Sequence, residues 1–182
     1  MPQHFRWSVL LPTARTGSGT RLRRLHSQGS SRYAPPVPNP DFPAAARRHH
    51  QDARLLLDDR RWPNADHLAG VAAECGLKAI LLGYFGASLG NNGKPVWGQA
   101  AKTLGHVNHL WSELPLIISG RSAPVFAALI AGPPPQPFAS WDIADRYSDG
   151  NTITEQCARE HLDMARKIMG LLEQAVLNGV VP

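Results

Sequence analysis

Only two cysteines, Cys75 and Cys157, occur in 182 residues, which excludes a disulfide scaffold. Both fall at apolar positions of predicted helices, where a free thiol behaves as a small hydrophobe. A reducing, cytoplasmic setting is therefore expected. Long apolar runs are missing too. A membrane-spanning helix needs about 18 or more consecutive apolar residues. The best candidate, Pro124 to Ala131, is far shorter and runs into Gly132-Pro133-Pro134-Pro135, so no membrane partner is expected. Charged residues make up 18% of the chain against 43% hydrophobic, the balance of a globular protein rather than a disordered one. At this length one core is expected, with a tail, and no internal repeat is visible.

The body of the chain also lacks excess charge. Residues 1–42 contain Arg6, Arg15, Arg21, Arg23, Arg24 and Arg32 against the single acid Asp41, which accounts for the whole formal charge of +5. The remaining 13 basic and 13 acidic side chains cancel. A neutral body does not carry the electrostatic footprint that binding along a phosphate backbone requires.

Residues 1–42 show no sustained period, and Ala34-Pro35-Pro36-Val37-Pro38-Asn39-Pro40 is extended linker chemistry. Three readings of this basic tail stay open: a disordered arm, an Arg-rich transit-like leader, or upstream sequence from a wrongly chosen start. Helical spacing takes over in residues 43–180. The first predicted helix runs from Pro43 to Arg60, with Ala46, Ala53, Leu56 and Leu57 on one side and Pro43 in the first turn. Trp62-Pro63 breaks it, and Asn64 is the expected N-cap of a second helix reaching Tyr84. There Leu68, Val71, Ala72, Cys75, Ala79 and Leu82 share a face. Ala69, Ala73, Leu77, Ile80 and Leu81 cover most of the rest, leaving a narrow polar stripe of His67, Glu74 and Lys78. A helix apolar almost all round is central or lies in a subunit interface.

Gly90-Asn91-Asn92-Gly93 reads as a turn. A third helix is predicted over Pro95 to Leu114, burying Trp97, Ala100, Leu104, Val107, Trp111 and Leu114. A Pro-interrupted connection over 115–140 includes a short apolar helix around Val125 to Ile130. The capping box Thr152-Ile153-Thr154-Glu155 opens a last helix ending near Asn178-Gly179, with Ile153, Cys157, Leu162, Ala165, Ile168, Met169, Leu172 and Val176 in its apolar arc. The expected fold is all-α: an antiparallel four-helix bundle with a short extra helix before the last one.

Three segments in this order resemble the HEPN family. Asn64 to Leu81 is similar to its second helix, with small residues followed by A-x-E-x-x-x-K-A-hydrophobic. Gly105-His106-Val107-Asn108-His109-Leu110-Trp111 looks like its T-H-x-x-x-L segment. Asp145-Arg146-Tyr147 resembles the entry to its last helix. The resemblance implies a helical homodimer that cleaves RNA, binds a nucleotide, or partners a nucleotidyltransferase or antitoxin. The nucleases of the family place an Arg four to six residues before a His near the last helices. Here the next His after Arg146 is His161, and Arg159 precedes it by two. Arg61–His67 and Arg21–His26 have the formal spacing elsewhere. A non-catalytic, HEPN-like binding or assembly module with a nucleotide or RNA ligand is the leading expectation. A divergent RNase or metal-dependent hydrolase working from a dimer cleft is the alternative.

The candidate ligand-binding residues are Glu74, Lys78, Asn108, Arg146, Tyr147 and His161. Glu74 and Lys78 form an i, i+4 pair on an otherwise apolar helix, so they are expected to be partly buried, in a structural polar cluster or in contact with Arg146, Tyr147 or a phosphate. His161 lies at the centre of the last apolar arc and Asn108 similarly on helix 3. Buried, each requires a partner, either the other or Glu74. Lys102, His106, His109 and Glu113 are predicted to share one polar side of helix 3, and His106, His109 and Glu113 have a spacing that could present metal ligands. An ordinary solvated face has the same spacing, and no catalytic residue, metal or cofactor is assigned. Arg47-Arg48-His49-His50 reads as a helix surface.

Overall fold

The computed structural model describes residues 39–118 and 136–181, with Pro124 and Phe126, and these belong to one compact unit. Nearly all of the basic tail, the Arg21–His26 pair and, apart from Phe126, the expected short helix around Val125 to Ile130 lie outside the described residues.

Helix α1 spans Phe42–Asp58. Asp41 caps it by accepting from the Ala44 backbone N–H at 2.9 Å, satisfying one of the donors that a helix start leaves free. Helix α2 spans Trp62–Tyr84. It starts three residues earlier than an Asn64 cap would allow, because Pro63 fits the first turn, where no backbone N–H is needed. The reversal between α1 and α2 is a Schellman turn: Arg60 N–H donates to Leu57 O and Arg61 N–H to Leu56 O, with Arg60 at φ 59°.

The long third helix of the sequence reading is not formed. Residues 88–103 fold instead into a three-stranded antiparallel sheet, β1 (Ser88–Leu89), β2 (Pro95–Trp97) and β3 (Lys102–Thr103). Val96 faces Ser88 on one side and Thr103 on the other. The expected turn at Gly90–Gly93 joins β1 to β2. A second, at Gly98–Ala101, takes the chain left-handed at Gly98 and Ala101, which a helix through this segment could not do. Only then does α3 begin, over Val107–Ile117. The fold is thus mostly helical with a small sheet, and not all-α.

After a 3₁₀ turn at Ile143–Tyr147, helix α4 spans Glu155–Leu177. Its N-cap is Thr154, two residues later than the Thr152 of the expected capping box, and its hydroxyl accepts from Cys157 N–H at 3.2 Å. Helix α2 packs against both α1 and α4, which also touch each other. The face of α2 bearing Ala65, Ala69, Ala73, Leu77, Ile80 and Leu81 is buried, whereas Leu68, Val71, Cys75 and Leu82 are half-buried. Asp66 meets His161 near the start of both helices, and a side chain at Gly76 would meet Ile168 further along. α4 therefore runs in the same direction as α2 while packing directly on it. A simple up-and-down bundle would set these two across the diagonal.

Candidate functional site

The N-terminal end of α2 is where polar chemistry collects. Asp66 is 1% exposed and His161 is 3% exposed, yet both are ionisable groups whose burial demands partners. They find each other: His161 Nδ1 and Asp66 Oδ1 lie 2.5 Å apart. The Cys157 thiol, one helical turn before His161, lies 3.6 Å from that oxygen and 3.9 Å from that nitrogen. Neither Asn108 nor Glu74 partners His161. Asn108 Oδ1 accepts from the His109 N–H at 2.9 Å, and Glu74 is engaged elsewhere.

Two aromatics from the stretch before the 3₁₀ turn close this region. Phe138 stacks on His161 with ring centroids 5.0 Å apart, and Trp141 stacks on His67 at 5.7 Å. The Trp141 indole N–H donates to the backbone oxygen of Asp66 at 3.2 Å. Its ring lies so close over Gly70 that any Cβ there would overlap it, which is why the α2 surface must be bare at that position. Nothing in the Pro-rich connection singled out Phe138 and Trp141 as core residues, and Asp66 resembled an ordinary acid near a helix N-terminus.

On the solvent side of the same end of α2 is a cleft of about 470 Å³ lined by Leu56, Arg61, Pro63, His67, Asp145, Arg146 and their neighbours. The reversal delivers Arg61, the second turn of α2 delivers His67, and the 3₁₀ turn delivers Arg146. Gly150, at φ 74° and packed against Pro63, shapes one wall. Two carboxylates also line the cleft, but each is turned into its own loop. Asp145 accepts from the Asp142 N–H as half of a capping box, and Asp149 accepts from Asn151. Arg146 donates to Ile143 O at 3.0 Å and sits 4.5 Å from the Tyr147 ring centroid. Among the described residues the Arg61 side chain has no hydrogen-bond or ion-pair partner. His67 Nδ1 is enclosed and also without a partner. Burial, then the Arg146 charge, lower the His67 pKa from its ordinary value against the opposing pull of Asp66 and Asp145.

The other sequence candidates separate. Glu74 and Lys78 are paired at 2.6 Å and largely buried, and the second Glu74 oxygen meets His106 Nδ1 at 3.0 Å, with no bond to Arg146 or Tyr147. His106 therefore faces α2. His109 is exposed, and Glu113 pairs with Lys102 of β3 at 2.5 Å. The suggested three-ligand set on helix 3 is dispersed because His106 precedes that helix as its N-cap. Arg47 and His50 line a second cleft with Arg54, Arg166 and Glu173 between α1 and α4. Both thiols are pushed up to about 11, Cys75 by burial and the Glu74 charge, Cys157 by burial and then Asp66. A thiol at that value is no nucleophile at neutral pH. No helix among the described residues is long and apolar enough to cross a membrane.

No family model, curated protein or solved structure matches the chain.

Proposed function

We propose that this chain is a HEPN-like binding module whose cleft takes a phosphate-bearing ligand of nucleotide size. One observation carries the reading: Arg61, Arg146 and His67, from three separate segments, line a single cleft. The facing carboxylates accept from N–H groups of their own loops and, among the described residues, form no ion pair with Arg61 or Arg146, so both guanidinium groups keep donors to offer an anion. Leu56, Pro63 and Leu68 offer an apolar wall for a base or sugar. The resemblance of Asn64 to Leu81 and of Asp145-Arg146-Tyr147 to HEPN segments supports the same reading and adds a homodimeric assembly.

Calorimetric titration of the full chain with AMP, ADP and inorganic phosphate tests it. A charged hydrogen bond of about 1.5–3 kcal/mol corresponds to roughly a tenfold or greater loss of affinity when removed. Arg61→Ala and Arg146→Ala should each produce that loss. Nucleotide affinity indifferent to both substitutions would sink the proposal.

A second reading, phosphodiester cleavage, is favoured by the Arg61–His67 spacing together with their shared cleft. A guanidinium to hold phosphate and an imidazole to move a proton are the parts such chemistry needs. The leading reading expects RNA incubated with the protein to stay intact. Cleavage abolished by Arg61→Ala or His67→Ala would establish the second reading in its place.

A further inference from the structure

Three side chains from two helices send one ligand atom each to a single buried point. Asp66 comes from the second turn of α2, and Cys157 and His161 come from successive turns of α4. Their Oδ1, Sγ and Nδ1 atoms all lie within 4.8 Å of one another. Residues four apart on a helix project together, so α4 presents thiol and imidazole side by side and α2 supplies the carboxylate opposite.

Two ordinary roles fit this arrangement poorly. In a thiol–imidazole–carboxylate relay the thiol and the carboxylate use different ring nitrogens, so that a proton can cross the ring. Here both face Nδ1. A simple buried ion pair explains Asp66 and His161 but leaves the thiol only a long, weak hydrogen bond to the same carboxylate oxygen. Cys157 Sγ stands 3.6 Å from the oxygen and 3.9 Å from the nitrogen.

We propose that Asp66, Cys157 and His161 bind a divalent transition-metal ion of the zinc class, joining α4 to α2 beneath the cleft. Sulfur, nitrogen and oxygen together suit zinc rather than magnesium or calcium, which take oxygen alone. With bonds of about 2.3 Å to sulfur and about 2.0–2.1 Å to nitrogen and oxygen, a tetrahedral ion holds sulfur about 3.5 Å from the other two donors and nitrogen about 3.3 Å from oxygen. The two sulfur separations already approach those values. The 2.5 Å nitrogen–oxygen separation must open by somewhat under about 1 Å, a side-chain adjustment. Binding releases the thiol proton and requires Nδ1 free of hydrogen, because each ligand coordinates through a deprotonated atom. Cys157 is only half-buried, so solvent reaches the fourth position from its side.

Cobalt(II) is the probe, added under reducing conditions to the full chain after chelator treatment. One equivalent should give a sulfur-to-cobalt charge-transfer band with the visible bands of a tetrahedral ion, and zinc should displace it. Cys157→Ser, nearly isosteric and half-exposed, should abolish the charge-transfer band, while Cys75→Ser should keep it. As an independent readout, zinc should raise the melting temperature of the unaltered chain and leave that of Cys157→Ser and of Asp66→Asn unchanged. Cobalt binding without a sulfur band, a band that survives Cys157→Ser, or one lost in Cys75→Ser would each overturn the proposal.

Discussion

A helix that ends in a Schellman turn needs one residue in the left-handed region, and this chain solves the problem twice with different residues. At the end of α4, Gly179 occupies the position at φ 68°, with Val180 N–H donating to Ala175 O and Gly179 N–H to Val176 O. At the end of α1 the same two-bond pattern is closed around Arg60 at φ 59°. A side chain there clashes with its own carbonyl at a cost of about 1–2 kcal/mol, part of which glycine would give back through its freer unfolded chain. Strain of this sort persists where the surroundings fix it, and here it aims the next residue, Arg61, at the cleft. Arg60→Gly should therefore stabilise the protein by roughly 0.5–1 kcal/mol, seen as a rise of about 1–4 °C in melting temperature. A lower melting temperature would mean that contacts of the Arg60 side chain outweigh its backbone strain. The end of α1 was legible in outline from Trp62-Pro63. The turn itself was not, because its left-handed residue is an arginine rather than the glycine that normally marks one.

Among the helices, α1 and α2 were readable because their apolar spacing runs over several turns, and α4 because a long arc follows a strong cap. The third segment misled for a definite reason. Trp97, Ala100, Leu104, Val107 and Trp111 recur at three or four residues, yet strands of two or three residues are too short for their own alternation to show. Gly98 was the available sign, since it takes the positive φ that turns β2 back toward β3. Helix α1 also bears on acid stability. Burial is the leading cause lowering the pKa of both His49 and His50 from an ordinary value of about 6.5. Arg48 adds to this at His49 and Arg54 with Arg166 at His50, against the pull of Asp52 and Glu173 respectively. With folded pKa values below the unfolded ones, falling pH protonates the unfolded chain first. Their contribution is complete above about pH 6.5 and is lost as pH drops through the folded values. Melting temperature should fall between pH 7.5 and 5.5, and His50→Gln should reduce the fall. A flat profile over that range would show that these imidazoles titrate alike in both states.

At the scale of the whole molecule, what could not be read was which distant residues meet. The sequence flagged His161 as an imidazole in need of a partner, but Asp66 lies 95 residues away, at a helix start where acids are unremarkable. It also offered Arg61–His67 and Arg146 as unrelated fragments, which only the reversal after α1 and the loop before α4 bring to one cleft. Assembly is the remaining question at this scale. The nearly all-round apolar character of α2 pointed to a central helix or a subunit interface, and within the chain α1 and α4 cover much of it. What they leave is a stripe of half-buried side chains, Leu68, Val71, Cys75 and Leu82. It is spaced at three, four and seven residues along one side of the helix, which is the seam geometry of paired helices. A self-complementary, two-fold contact along such a stripe is the simplest way to cover it. Light scattering at micromolar concentration should then give the mass of a dimer. Val71→Glu, which sets two like charges near the proposed axis, should shift it toward the 19.8 kDa chain while leaving helicity unchanged. A monomer before any substitution would remove the dimer and require the cleft to act within one chain.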